Sequence, residues 1–169
     1  AAREESVRAV GLARELRAVL GHRAHRSHPA VALNRLLEDL APDLPGEADT
    51  RVRLELDRVG PRVRVDPFTL RRAVLALVRG GREVFDSADV TAVLRTRSTP
   101  SGAVGEVVLQ EDSGAAALRH PALHDLLERG IAPNRIGLAR SALTDLGCEL
   151  MLDAPDPRSL RFLITFEEA

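Results

Sequence analysis

Histidines and a single cysteine are the first residues here whose types and spacing could do chemistry. His120 and His124 stand four apart, which would put two imidazoles on one helix face, where they could share a metal ion. No third ligand is evident beside them, so surface histidines are the plainer reading. His22, His25 and His28 follow at three-residue steps and are succeeded by Arg23, Arg26 and Pro29. A solvated helix end, where His and Arg complement the dipole, accounts for them. Cys148 has no second cysteine to pair with, which excludes an internal disulfide and any multi-cysteine metal site. There is no lysine: all 24 basic residues are arginine, so no amine is available for a Schiff base or to hold a phosphate.

The chain that must position these groups has 169 residues and is 44% hydrophobic, enough for one compact domain with a buried core. Its formal charge of -1 points to neither nucleic acid nor an anionic membrane. No apolar run approaches a membrane span and no signal peptide is visible, and a lone thiol suits a reducing cytosol. A cytoplasmic location is therefore expected. The pattern starts inside a helix, so this stretch reads as part of a longer protein.

Residues 3 to 21 place Val7, Val10, Ala13, Leu16 and Leu20 at three- and four-residue steps, the pattern of an amphipathic helix. A second helix is expected over 31 to 44, then a turn at PGEAD. Residues 51 to 57 alternate strictly, with Val52, Leu54 and Leu56 on one face, and predict a half-buried strand. A shorter strand follows at 62 to 66. Asp66 and Pro67 then make an N-cap and first helical position. Phe68, Val74, Leu75, Leu77 and Val78 are the expected buried stripe of that helix, with Gly80 and Gly81 within or near its end. Residues 89–97 and 103–112 predict a hairpin. Residues 120–130 predict a short helix or structured loop. Residues 134–147 predict a helix closed by Gly147, and two strands end the chain. The order predicts an α+β fold: a two-layer sandwich of a mixed, mainly antiparallel sheet with helices on one face.

This order, together with four landmarks, resembles the ATP-binding catalytic domain of bacterial sensor histidine kinases, of the GHKL superfamily. RVRVDPFTLRRAVLALV resembles the strand, Asp-Pro and helix of the asparagine box. VVLQEDSG resembles the strand entering the first glycine box. NRIGLARSALTDLGCELML resembles the second glycine box with its helix and strand, and LRFLITFEE the closing strand. The resemblance divides the chain into an N-terminal helix of the dimerisation type over 1–28 and a kinase-like ATPase domain over 29–169. It implies that the stripe Val7, Val10, Ala13, Leu16 and Leu20 is a homodimer seam; packing against the same domain is the other reading of that stripe.

The residues expected at the nucleotide site are changed. The two asparagine positions, whose oxygens help hold Mg²⁺ in the family, fall on Ala76 and Gly80. The basic residue often found one turn on falls near Glu83. In the first glycine box, Asp112, which the family uses to accept a hydrogen bond from adenine, and Gly114 are kept, while the second glycine is Ala116. An Asp before Ser-Gly also ends many strands as an ordinary turn residue. The second box reads Pro133-Asn134-Arg135-Ile136-Gly137-Leu138 and keeps one glycine of three; such glycines let backbone N–H groups approach phosphate. The pocket remnant is therefore Ala76, Gly80, Asp112, Gly114, Gly137 and Leu138, with no catalytic residue, no metal ligand and no cofactor expected. Gly137 could equally serve close helix packing.

The resemblance then implies a non-catalytic signalling module of a two-component pathway. It would bind a protein partner, a response regulator or a kinase, with no contact to nucleic acid or membrane. Two alternatives stay open: an active ATP-dependent histidine kinase with an atypical site, and a histidine phosphotransferase with a decayed ATP-binding domain. The family's phosphoacceptor histidine is usually followed by an acid. His124-Asp125 has that pairing, but it falls in the lid region.

Overall fold

The computed structural model describes residues 28–48, 50–85, 89–113, 134–156 and 158–167. The expected N-terminal helix, the 120–130 segment, Gly114, Ala116, Pro133 and all histidines but His28 lie outside them.

A short strand β1 (Ala30–Ala32) leads into α1 (Leu33–Leu40), a 3-10 turn over Ala41–Asp43, and α2 (Leu44–Ala48). The continuous helix expected from 31 is thus cut at both ends. Val31 is drawn into a two-stranded ladder with β3 (Arg62–Arg64), pairing Val31 with Val63. The PGEAD turn is instead helical, because Pro45 falls at the first turn of α2, where its missing N–H costs nothing. The strand expected at 62–66 is β3, and it stays outside the main sheet.

The main sheet has five strands in the order β2 (Arg51–Glu55), β4 (Val90–Thr99), β5 (Gly102–Glu111), β7 (Ser159–Glu167), β6 (Glu149–Asp153). β2 runs parallel to β4 and the other neighbours are antiparallel. The expected hairpin pairs Val90 with Glu111 at its open end and Thr99 with Gly102 at its turn. One sheet face carries Ala92, Leu94, Val107, Leu109, Leu160, Phe162 and Ile164 into the core.

Against that face lies α3 (Pro67–Val84), begun by Asp66, whose side chain accepts the Thr69 N–H at 3.2 Å and the Thr69 hydroxyl. Its buried residues include Leu70, Val74, Leu77 and Val78, spaced for one helix face, while Leu75 of the expected stripe is only partly buried. Phe68 departs from expectation: it is 65% exposed. It stands on the outward side, with the Arg72 guanidinium 5.8 Å from its ring centroid. Gly81 lies inside the helix and meets the sheet so closely that a Cβ there would stand 2.1 Å from Leu109 Cδ1.

α4 (Asn134–Asp145) packs beside α3 and buries Ile136, Ala139 and Leu143. Gly147 closes it at φ 79°, a left-handed conformation that glycine adopts without penalty. Gly147 N–H donates to Thr144 O at 2.9 Å and Cys148 N–H to Leu143 O at 2.9 Å, satisfying the last carbonyls. Among the described residues, no helix is long and apolar enough to cross a membrane.

Candidate functional site

The remnant positions on α3 and α4 come together, and Asp112, just after β5, does not join them. Gly80 faces the first turn of α4. A Cβ at position 80 would lie 2.8 Å from Ile136 Cγ1, 3.2 Å from Arg135 Cβ and 3.3 Å from the Ile136 backbone nitrogen. Only a residue without a side chain lets the helices approach this far. One turn further on, Glu83 and Arg135 form an ion pair, Oε1 to Nε 3.4 Å, across the same junction.

Towards the start of α3 the two helices open. Thr69, Arg72, Ala73 and Ala76 from α3 and Leu138, Ala139 and Ala142 from α4 line a groove of about 320 Å³. Gly80, in the second half of α3, meets Arg135 and Ile136 in the first turn of α4, while the groove is lined by earlier residues of α3 and later ones of α4. The floor is made of alanine methyls. Leu138 stands at the rim, 70% exposed. Gly137 sits half-exposed in the first turn of α4. Neither Ala76 nor Gly80 brings a side-chain oxygen to this junction.

Asp112 turns to the opposite face of the sheet. Its carboxylate accepts the Thr91 hydroxyl at 2.5 Å and Arg51 Nη2 at 3.1 Å. Arg51 also pairs with Asp89, and the Asp112 N–H donates to Asp89 O at 2.8 Å. Thr91 alternates with the core residues Val90 and Ala92, and Arg51 with the core-packed Val52. Arg51, Thr91 and Asp112 therefore share the helix-free face.

The carboxylate on the helix side is its neighbour, Glu111, only 4% exposed. Its Oε1 accepts the Ser113 N–H at 2.8 Å and the Ser113 hydroxyl. Matching Asp-x-Gly overlooked this residue. The signal that finds it is the alternation Val107, Leu109, Glu111, which puts all three side chains on one face.

Two other polar groups are structural. Asn34 Nδ2 donates to Asp57 O at 2.7 Å and Asn34 Oδ1 accepts the Thr96 hydroxyl at 2.6 Å. The Asp57 carboxylate accepts the N–H groups of Ser98 (2.8 Å) and Val59 (2.9 Å), which hold it below the usual carboxylate range. Together they fasten the turn after β2 to α1 and β4. Cys148 is buried, and loss of solvation, with Glu167 nearby, pushes its thiol up to about 12.

No protein-family model matches this chain and no curated protein matches it in sequence. Solved structures do match it in shape. The catalytic domain of the histidine kinase ThkA superposes with a TM-score of 0.64 at 13% identity, over 83% of this chain and 96% of that one. The ATP-binding domain of PrrB from Mycobacterium tuberculosis gives 0.62 at 16% identity, over 84% and 98%. Full-length ShkA in complex with AMPPNP gives 0.60 at 15% identity, over 100% of this chain and 40% of that one. At these identities the likeness is one of fold: this chain has the fold of a histidine kinase catalytic domain.

Proposed function

We propose that this domain is a histidine-kinase-like signalling module of a two-component pathway that works by binding a protein partner, with ATP binding lost or very weak. The reading is carried by the contact between Gly80 and Ile136. In the histidine kinases this chain resembles, position 80 would offer an oxygen to Mg²⁺ and the start of α4 would offer glycine N–H groups to phosphate. Here the two elements meet each other. The phosphate-side glycine is replaced by Arg135, which is paired to Glu83. Ala76 brings a methyl group where an oxygen is needed, and Asp112 is engaged by Arg51 and Thr91 on the other sheet face. These residues do not fit a magnesium-bound triphosphate.

The magnitudes favour loss over weakening. Each missing hydrogen bond to a charged group costs about 1.5–3 kcal/mol. Losing several, with the metal, removes most of the roughly -8 kcal/mol of a micromolar ligand. Titration of the domain with Mg·ATP in a calorimeter should give no saturable heat, and millimolar Mg·ATP should leave its melting midpoint unmoved. A dissociation constant below about 100 μM would sink the proposal and favour an active kinase with an atypical site.

A further inference from the structure

We infer that the β2 edge of the sheet docks a second copy of this chain: the two β2 strands pair antiparallel about Leu54 and join two five-stranded sheets edge to edge. This does not depend on whether ATP binds. β2 ends the sheet, and among the described residues its one ladder partner is β4. A strand in that place offers a row of backbone N–H and C=O groups to another strand. Arg51, Arg53 and Glu55 stand on the helix-free face. Val52, Leu54 and Leu56 pack against the core but are only partly buried, so they keep apolar surface for a neighbour.

The residues around Leu54 are self-complementary. In an antiparallel pair, directly opposed side chains lie on the same face. Centring the pair on Leu54 sets Arg53 of each copy opposite Glu55 of the other, and Val52 opposite Leu56. Further out Arg51 meets Asp57, whose carboxylate already accepts the Ser98 and Val59 N–H groups. The helix-free face gains opposite charges and the core face gains apolar pairs, and a two-fold axis does this for both copies at once. Arg53 and Glu55 bridge at 3.4 Å within one copy, with side chains 56% and 42% exposed. The dimer therefore closes a ring of four alternating charges. Neighbouring registers fail: centring on Arg53 or Glu55 sets that residue against itself, and centring on Val52 sets Arg51 against Arg53. The other edge of the sheet fails in the same way, because β6 centred on Met151 would set Glu149 against Asp153.

The test is sedimentation velocity of the full 169-residue chain over a concentration series. The unaltered chain should form a dimer whose fraction grows with concentration. Arg53→Glu sets an acid against Glu55 of the other copy, and Glu55→Arg sets an arginine against Arg53. Each variant alone should dimerise at least about tenfold more weakly. Mixed in equal amounts, the two variants should pair with each other and recover the affinity of the unaltered chain, since each carries the charges the other lacks. Amides of β5 and β7 should stay protected from hydrogen exchange in both, which separates lost pairing from lost folding. If either variant fails to fold, Leu54→Cys decides. Mild oxidation should join it into disulfide-linked dimers faster than Met151→Cys, although Met151 is 60% exposed, and buried Cys148 can stay. A chain that stays monomeric, a dimer indifferent to both charge variants, or a mixture that does not recover pairing would overturn the inference. So would Met151→Cys cross-linking as fast as Leu54→Cys.

Discussion

Gly80 and Ile136 are in such close contact that a Cβ on the first would lie 2.8 Å from Cγ1 of the second and 3.3 Å from its backbone nitrogen. The glycine on α3 and the position of α4 are one structural fact. An asparagine at 80 would need α4 to stand further off, and α4 this close needs a glycine at 80.

Restoring the two asparagine positions should therefore have unequal effects. Ala76→Asn projects into the groove and should change stability by less than about 0.5 kcal/mol. Gly80→Asn must push against Ile136 and should cost about 1–3 kcal/mol, despite its better helix propensity. Urea unfolding of both variants decides this; equal midpoints would mean that α4 moves away freely.

Reversing charge at the same junction should be mild. Arg135 and Glu83 are about half exposed, at 49% and 55%. Exposed pairs contribute about 0–1 kcal/mol. Arg135→Glu should lower stability by no more than that, and Arg135→Glu with Glu83→Arg should recover it, as a double-mutant cycle would show. Partner binding, measured on the same proteins, should respond to Arg135→Glu if this face is the docking surface.

The two neighbouring carboxylates at the end of β5 should behave differently. Asp112→Asn affects a solvent-facing pair with Arg51 and should alter stability by about 1 kcal/mol or less. Glu111→Ala removes a buried side chain and the acceptor that Ser113 uses, and should cost about 1–3 kcal/mol. Chemical denaturation of the two variants side by side is the check.

Alkaline pH isolates Cys148. The chain has no Tyr and no lysine, so Cys148 is the one side chain whose ordinary pKa, 9.0, falls between neutrality and the arginine range. The fold raises that pKa to about 12. The thiol bond to its proton is thus favoured in the folded state, and its contribution is present in full below pH 9 and lost as pH rises towards 12. Stability should fall by up to about 1.4 kcal/mol per pH unit across that window. Cys148→Ala should flatten the slope, and a thiol reagent at pH 8 should modify Cys148 only on unfolding.

The periodic parts of the fold were legible from composition and spacing alone. Alternation in β2, β4 and β5, the Asp66-Pro67 start of α3 and the Gly147 end of α4 are local signals, each set by side-chain period or by backbone freedom at one residue. The losses of oxygen at 76 and 80 and of glycine at 133 and 135 were also legible, because they are facts of residue type. Contacts between distant segments were not. Nothing local distinguishes Phe68 on the outside of α3 from Leu70 on the inside until the sheet fixes which face is buried. Val31 reads as helix until β3 offers it a strand. Asp112 matches the motif's aspartate, yet its side chain leaves on the far face because strand register, anchored by Val107 and Leu109, assigns the inward place to Glu111. The sequence by itself determined which chemistry this site lacks. Only the tertiary structure decided what stands there instead: Ile136 and Arg135 come to Gly80 because α3 and α4, some sixty residues apart in the chain, are held on one sheet face at a distance set by their smallest side chains.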